Sequence, residues 1–393
     1  MRFLLFFSLF WSCNLLAQQW VALNNIPSAR HHPVTWGLNG KGYMLTGTIP
    51  PNTVTKDFYE YDPAADFWTQ KADFPGVARS FSIGTVYNGK GYMGFGASQS
   101  NYLRDLWEYD PVNDSWRQLA DCPCAGRRHP AFIAVNDKLF VGLGDGATGD
   151  LNDWWEYDMA TDSWTQRLAL PASPRHHPFQ FAINGQAYTG LGHSGSIIFG
   201  DWHRFDPVNR TWTTLNPFPG EARVAGTQFD YNGKGYVLSG DGDNHSWMPT
   251  GEFWEYDASL DVWTALPPHP GISRWAPGSF IIGSEVYFLG GTNRQLGSFP
   301  NDFYKYDLAG GSVGLVEDAE SMVLYPNPMQ TKARIALDAA QLMEWQVMDI
   351  HGRIIGQGNT AEIAGADWPA GLYVVHIVLR NGRRQSIRLQ KVD

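Results

Sequence analysis

The sequence has few of the features that mark common enzymes, metalloproteins and membrane proteins. Charged residues make up 17% of its 393 positions, and only three positions are cysteine. It contains no Gly-x-Ser-x-Gly motif, no phosphate-binding glycine loop and no His-Glu-x-x-His pair, so no familiar catalytic motif points to a reaction. No apolar run is long enough to cross a bilayer as a helix.

Positive charge is also scarce. The formal net charge is −10, and residues 318–393 hold eight basic and eight acidic side chains, so the excess of acidic residues lies in the preceding part. Because nucleic acids and anionic membranes bind basic surfaces, we expect neither of them as a partner.

Aromatic residues and glycine are abundant instead. Phe, Trp and Tyr together reach 14% of the chain, with 17 Trp, and glycine occurs 42 times. This composition is typical of many short strands joined by tight turns, and it disfavours helices and disorder. We therefore predict an all-β protein.

A short pattern recurs along the first 300 residues. An aspartate that follows Tyr or Phe is followed six positions later by tryptophan, and successive tryptophans are 48, 48, 48 and 51 residues apart. The pairs are Asp62 and Trp68, Asp110 and Trp116, Asp158 and Trp164, Asp206 and Trp212, and Asp257 and Trp263. A fixed period of this size indicates a repeat architecture, in which each unit buries its apolar face against its neighbours.

The two ends of the repeat region complete each other. A sixth Tyr-Asp ends at Asp307, but six residues later there is only Val313, whereas Trp20 lies 48 residues before the first repeat tryptophan and has no Tyr-Asp ahead of it. Joining these ends closes a ring of six units, with Gln19–Leu23 as the outer strand of the last one. A ring leaves no long unpaired sheet edge.

Each unit divides into four strands by alternation and turn residues. The second strand of each unit is apolar and ends in glycine. These strands are Gly42–Gly47, Gly91–Gly96, Leu139–Gly144, Ala187–Gly192, Gly235–Gly240 and Val286–Gly291. Such a strand, followed by Tyr-Asp and then Trp, resembles the kelch repeat over residues 19–310. The resemblance implies a six-bladed kelch-type β-propeller closed by an N-terminal strand.

The final 73 residues lose this period. Tyr325-Pro326-Asn327-Pro328, a later His351-Gly352-Arg353 and a basic last strand resemble the type A C-terminal sorting domain of the type IX secretion system. The resemblance implies a small immunoglobulin-like β-sandwich over residues 321–393, read by the type IX machinery. It also implies passage through the periplasm of a Gram-negative bacterium, to the outer cell surface or the medium.

The N-terminus and the cysteines fit an exported protein. Residues 1–17 have the basic start and short apolar core of a secretory signal peptide, and Cys13 lies within them. We predict a propeller over residues 18–310 and a linker over 311–320. Cys122 and Cys124, on either side of Pro123, are interpreted as turn residues able to form a disulfide, since two cysteines alone make a weak zinc signal.

Candidate binding residues cluster on one predicted face of the ring, where the chain enters each first strand and leaves each second strand. Loops on a rigid frame commonly carry function. An arginine recurs there in every unit: Arg30, Arg79, Arg127, Arg175, Arg223 and Arg274. The other candidates on this face are His32, His129, His177, His193, His245, Trp247 and Trp275.

Two interpretations of these residues remain open. The arginines pair with the recurrent acidic residue that opens each third strand and hold the units together, or they bind a carboxylate-bearing ligand. His32, His129 and His177 occupy equivalent positions, but one histidine per unit around a wide channel predicts no metal site. We predict no catalytic residue, no metal and no cofactor.

The preferred functional hypothesis is a secreted or surface-attached binding propeller that takes a carbohydrate or an acidic peptide or protein. The alternative is an enzyme resembling the kelch mutarotases that act on sialic acid. A copper-radical oxidase of the galactose oxidase type ranks last, because it needs a Tyr–Cys cross-link and the two cysteines precede the third unit. Fold alone does not choose between binding and catalysis.

Overall fold

A computed structural model describes residues 20–309, 324–325, 327–335, 342–349, 353–380 and 384–392. The chain divides into two compact units, residues 1–312 and 313–393. The predicted signal peptide and the whole of the predicted linker lie outside the described residues.

Six four-stranded antiparallel sheets, here called blades 1 to 6, make up the first unit within residues 20–309. From the inner to the outer strand, blade 1 is Val34–Leu38, Lys41–Leu45, Phe58–Asp62 and Phe67–Gln70, and blade 2 is Ile83–Tyr87, Lys90–Gly94, Leu106–Asp110 and Ser115–Leu119. Blade 3 is Ala131–Val135, Lys138–Gly142, Trp154–Asp158 and Ser163–Arg167, and blade 4 is Phe179–Ile183, Gln186–Gly190, Trp202–Asp206 and Thr211–Leu215. Blade 5 is Thr227–Tyr231, Lys234–Leu238, Gly251–Asp257 and Val262–His269, and blade 6 is Gly278–Ile282, Glu285–Leu289, Phe303–Asp307 and Val21–Leu23.

The inner strands neighbour one another in order, and the inner strand of blade 6 neighbours that of blade 1. The outer strand of blade 6 comes from the other end of the unit, since Val21–Leu23 pairs antiparallel with Phe303–Lys305. The strands therefore surround a central axis, and the all-β propeller class predicted from the repeat is confirmed.

The repeat tryptophans pack each blade onto the one before it. Trp116 of blade 2 contacts Trp36 and Phe58 of blade 1 at ring-centroid distances of 6.2 and 5.7 Å. Trp20, on blade 6, lies 5.8 Å from Phe253 of blade 5, and its Nε1 donates to the Pro267 carbonyl at 3.3 Å. Each large ring buries apolar area between two sheets, so the tryptophan pattern marks the contacts between blades.

The second unit contains two sheets. One holds Leu324–Tyr325, Lys332–Ile335 and Glu362–Ala364, and the other, from edge to edge, Ile354–Gly358, Leu342–Met348, Gly371–Leu379 and Arg384–Lys391. Met329, Ala333 and Ile363 pack with Trp345, Val347 and Val375 in one buried cluster. A cluster shared by two sheets is typical of a β-sandwich, as predicted for the tail. The predicted Asn381-Gly382 turn lies outside the described residues.

Two further observations complete the fold. A disulfide joins Cys122 and Cys124, whose side chains are buried beside Phe95 and Leu106. Among the described residues, no helix has the length and apolarity needed to span a bilayer.

Candidate functional site

The six recurrent arginines form a buried layer, here called the arginine layer. Their side chains are 0% exposed in five blades and 6% exposed in blade 6. Each pairs with the acidic residue that opens the third strand of its own blade: Asp57, Asp105, Asp153, Asp201, Glu252 and Asp302. In blade 1, Arg30 donates to both carboxylate oxygens of Asp57 at 2.7 Å.

Backbone carbonyls take up further arginine donors, although Nη1 of Arg223 in blade 5 has no hydrogen-bond partner among the described residues. In blade 1, Arg30 also donates to the carbonyls of Ser28 at 3.2 Å and Thr46 at 2.8 Å. Although burial acts to raise the pKa of Asp57, the hydrogen bond and the charge of Arg30 outweigh it and leave that pKa lowered. The expectation that the six arginines bind a ligand is therefore replaced: their guanidinium groups are buried and already paired, so they stabilise the blades.

Two residues after each arginine, every blade places one residue nearest the axis, here called the axial residue. The axial residues are His32, Phe81, His129, His177, Ala225 and Ala276, and all six have φ between 49° and 62°. This left-handed region costs a residue with a side chain roughly 1–2 kcal/mol. The surrounding sheets hold this strain at the same register in every blade, so it belongs to the frame that presents the axial side chains.

Backbone hydrogen bonds link axial residues of neighbouring blades. The N–H of His129 donates to the carbonyl of Phe81 at 3.0 Å, and that of His177 donates to His129 at 3.2 Å. The N–H of His32 donates to Ala276 at 2.9 Å, and that of Ala276 donates to Ala225 at 2.6 Å. These bonds offset part of the strain and fix the spacing of the axial side chains.

Three of the axial residues are histidines that meet at the axis. His32 and His177, on blades opposite each other, bring their Nε2 atoms to 3.1 Å. His129 stacks on His177 with ring centroids 3.4 Å apart. One nitrogen from each of the three rings lies within 4.8 Å of the other two. The prediction that these histidines are too dispersed to hold a metal is wrong, because the axial position narrows the channel to the width of two rings.

Further imidazoles surround this group. His31 Nδ1 lies 2.6 Å from His32 Nδ1, and His177 Nδ1 lies 3.4 Å from His193 Nε2. His176 Nδ1 contacts a carboxylate oxygen of Asp150 at 2.6 Å. We call the side chains of His31, His32, His129, His176, His177 and His193 the histidine cluster.

Burial keeps much of the histidine cluster uncharged. It lowers the pKa of His32, His129 and His177 well below the ordinary 6.5, and the neighbouring imidazoles and Arg128 lower it further. It also lowers the pKa of His31 and His193 to about 4. A neutral imidazole has a free ring-nitrogen lone pair, which is the form that binds a metal or accepts a hydrogen bond.

The face of the ring at which the chain enters each first strand is here called the mouth. Beside blades 5 and 6, where the axial residues are alanines, aromatic and charged side chains line its rim. The Trp275 ring lies 4.5 Å from the ring of His32, and the guanidinium of Arg294 lies 4.9 Å over Trp275. Arg294 Nε lies 2.9 Å from a carboxylate oxygen of the fully buried Asp241. Burial raises the pKa of Asp241 to about 6, although Arg294 opposes the shift.

The remaining candidates lie farther out on the same rim. The side chain of Trp247 is 38% exposed. His245 closes a short 3-10 turn, Asp243–His245, and its ring lies 4.4 Å from that of His193. The structure brings His193, His245 and Trp275 together with the axial histidines. Trp247 lies two residues after His245 in the chain.

A central cavity of about 110 Å³ adjoins the axial histidines. Its walls are the residues that begin the inner strands, including Val34, Thr35, Thr227 and Ser279. Polar hydroxyls and apolar side chains thus alternate around a concave space next to neutral imidazoles, which is a common composition for a small-ligand site.

Sequence reasoning missed several residues of this mouth. His31, His176 and Asp145 lie in the predicted loops of this face beside the candidates, whereas Phe81 and Arg128, which pairs with Asp145, gave no signal by residue type. The position of Phe81 relative to its arginine did carry a signal, because Phe81 follows that arginine by two residues, as His32 and His129 follow theirs. Aligning the six units on the arginine would have placed all of these side chains around one axis.

Comparison with known proteins agrees with both units. A family model described as the Kelch motif matches residues 91–123, and one described as the secretion system C-terminal sorting domain matches residues 323–389. The first unit therefore carries a kelch motif on a propeller fold, and the second carries a secretion sorting domain. The kelch motif match covers the second to fourth strands of blade 2, and the same strand pattern recurs in the other blades.

A solved structure titled "Structure of YjhT" resembles the kelch propeller, with a TM-score of 0.56 and 16% sequence identity. The match covers 63% of this chain and 88% of that one. At this identity the likeness supports the fold alone. None of the curated proteins compared with the chain matches it.

Proposed function

We propose that this exported kelch propeller is a binding module whose ligand is a carbohydrate, held at the mouth that carries the histidine cluster. The observation that supports the proposal is the contrast between six nearly identical blades and this one mouth. At this mouth the axial residue differs from blade to blade: three are histidine, one is phenylalanine and two are alanine. Unlike side chains on a repeated frame are typical of a recognition site.

The side chains of the mouth favour a carbohydrate over an acidic peptide. Trp275 and the exposed Trp247 offer flat apolar faces suited to a sugar ring, and neutral imidazoles can both donate and accept hydrogen bonds with hydroxyl groups. The guanidinium groups that would attract a carboxylate are committed to ion pairs, those of the arginine layer and also Arg128 and Arg294.

A glycan array probed with the full chain tests this function. We expect binding to a limited set of glycans, lost on Trp275→Ala and weakened by Trp247→Ala. Phe67→Ala is the matched control, because Phe67 is a 63% exposed aromatic on an outer strand at the opposite end of blade 1. Equal binding by all four proteins, or binding to acidic peptides in place of glycans, would contradict the proposal.

We also propose that residues 321–393 direct export through the type IX machinery, by way of the periplasm of a Gram-negative cell. The match of the sorting-domain model to residues 323–389 supports this. Deleting residues 321–393 is expected to leave a folded propeller in the periplasm, whereas the Phe67→Ala chain reaches the surface or the medium. Normal delivery of the truncated protein, measured by fractionation, would refute the proposed route.

A further inference from the structure

We infer that His32, His129 and His177 form a binding site for one divalent transition-metal ion of the zinc and copper class. The inference goes beyond the proposed carbohydrate binding, because it rests on ring nitrogens at the axis and not on the aromatic rim. Three observations carry it: the spacing of the nitrogens, the hydrogen bonds that orient the rings, and the lack of a hydrogen-bond partner, among the described residues, for the ring nitrogens of His129.

The spacing suits a small cation. Zn²⁺ binds imidazole nitrogens at about 2.0–2.1 Å in tetrahedral geometry, which places two ligand nitrogens about 3.3 Å apart. The Nε2 atoms of His32 and His177 are 3.1 Å apart. The nitrogen of His129 lies within 4.8 Å of both, so rotation of its ring out of the stack on His177 would complete a set of three ligands.

Hydrogen bonds place the lone pair of His177 on the ring nitrogen that faces His32. The Gly195 carbonyl can only accept, so His193 Nδ1, 3.2 Å away, carries a proton and donates. In a neutral ring His193 Nε2 is then an acceptor, and His177 Nδ1 donates to it at 3.4 Å. The lone pair of His177 is therefore on Nε2, the atom that faces His32. Metal-binding histidines are commonly held by a hydrogen bond at the other ring nitrogen.

His32 is held in the same way by its neighbour in the chain. Its Nδ1 lies 2.6 Å from Nδ1 of His31. When His32 Nδ1 donates this bond, its Nε2 presents a second lone pair to the lone pair of His177, and a cation between them removes the repulsion. When His31 donates instead, His32 Nε2–H bonds directly to His177. The metal and the proton thus compete for one position.

His129 supplies the third observation. Both of its ring nitrogens are buried and have no hydrogen-bond partner among the described residues. Leaving such a buried group without a partner destabilises the folded protein. Metal ligation removes this cost at one nitrogen, and the backbone bonds of His129 to Phe81 and His177 hold its position.

An alternative set, His176, His177 and His193, is also within 4.8 Å. Its nitrogens are more fully engaged, since His176 bonds Asp150 and His193 bonds both His177 and Gly195. We therefore place the ion at the axis. Imidazole ligands suit Zn²⁺, Ni²⁺ and Cu²⁺, and among these Cu²⁺ is expected to bind most tightly. Three protein ligands leave a coordination position free for water or an oxygen atom of a ligand.

Metal titration of the full chain, prepared without a polyhistidine tag and treated with a chelator, tests the inference. Isothermal titration with Zn²⁺ is expected to show one site per chain. Each of His32→Gln, His129→Gln and His177→Gln should weaken it by at least about tenfold to 100-fold, because losing even a residue that supports a ligand has that effect. His176→Gln and His245→Gln are the matched controls and should bind as the unaltered chain does.

Electron paramagnetic resonance of the Cu²⁺-loaded unaltered chain provides a test that needs no variant. Coupling to three imidazole nitrogens is expected, and coupling to one or none would overturn the assignment. Absence of stoichiometric Zn²⁺ binding would overturn it as well. Loss of the site in His176→Gln with binding kept in His129→Gln would move the ion to the alternative set, which also contradicts the inference.

Discussion

The arginine and the axial residue lie two residues apart in every blade, yet they differ in almost every physical respect. The arginine is the same in all six blades and is held by an ion pair in each, whereas the axial residue changes from blade to blade. Among the described residues, the ring nitrogens of His129 have no hydrogen-bond partner. The comparison teaches that repetition marks the frame of this propeller and that its interruption marks the candidate site.

Removing charge from the arginine layer is expected to have the largest effect. Replacing Arg127, Arg175 and Arg223 together by Met leaves three acidic side chains facing buried apolar groups, and breaking one buried pair costs about 3 kcal/mol or more. We expect the melting temperature to collapse, measured by calorimetry. An unchanged melting temperature with loss of ligand binding would show that the arginine layer is a ligand site and not part of the frame.

The contact between the first and last strands is expected to matter nearly as much. Trp20→Ala removes a ring packed among Phe253, Phe288 and Tyr306, and such truncations cost about 3–5 kcal/mol in a well-packed core. Because the ring is partly exposed, the lower end of this range is expected in urea unfolding. Trp247→Ala, on the rim, is the matched control, and an equal loss in both variants would argue against the packing role of Trp20.

As the pH is lowered, we expect the stabilising contribution of the histidine cluster to be lost at a higher pH than that of the arginine layer. The unfolded chain binds protons on its histidines near pH 6.5, whereas the pKa values of His31 and His193 are about 4 in the folded state. Folding stability from the histidine cluster is therefore complete above about pH 6.5 and lost as the pH falls toward 4.

The carboxylates of the arginine layer act later in the same titration. Asp57 and Glu252 have lowered pKa values, so their contribution is present above the ordinary carboxylate pKa and is lost only at lower pH. The melting temperature should thus fall in two stages, and His31→Gln should diminish the first stage alone. A single fall below pH 4 would show that the histidine cluster does not contribute.

The smallest expected effect is that of His129→Gln on stability. The His129 ring nitrogens make no hydrogen bond to the part of the chain that the structure describes, so we expect the free energy of unfolding to change by less than about 1 kcal/mol, at the lower end of typical point mutations. Arg127→Met, two residues earlier, is the matched comparison and should lose several times more. A large loss in His129→Gln would mean that the mouth is part of the frame.

Much of the fold could be predicted from sequence because the blades bury their contacts by a simple rule. Tryptophan at a fixed period predicted packing between neighbouring sheets, and Trp116 and Trp20 show that packing. The arrangement at the axis was not predicted. His32 and His177 are 145 residues apart, and nothing in their local pattern reveals that left-handed backbone turns both rings into a channel only two rings wide.

The arginines illustrate the opposite limit of sequence reasoning. Their recurrence was visible, and so were the acidic residues at the start of each third strand, but a charge pattern alone does not say whether the partner is inside or outside the protein. Burial decides this, and it depends on how closely the strands pack. The side chains of Arg30 and Arg79 are 0% exposed, which shows that their partners lie inside the protein.

The pairing of Val21–Leu23 with Phe303–Lys305 has a consequence for the order of folding. About 280 residues separate these partners, so Val21–Leu23 waits in synthesis or export for the last part of the propeller before it gains its hydrogen bonds. Contacts of such long sequence separation slow folding. We expect the amides of residues 21–23 and 303–305 to acquire protection last in pulsed hydrogen exchange during refolding. Protection there before blades 2 and 3 would show that the ends meet early.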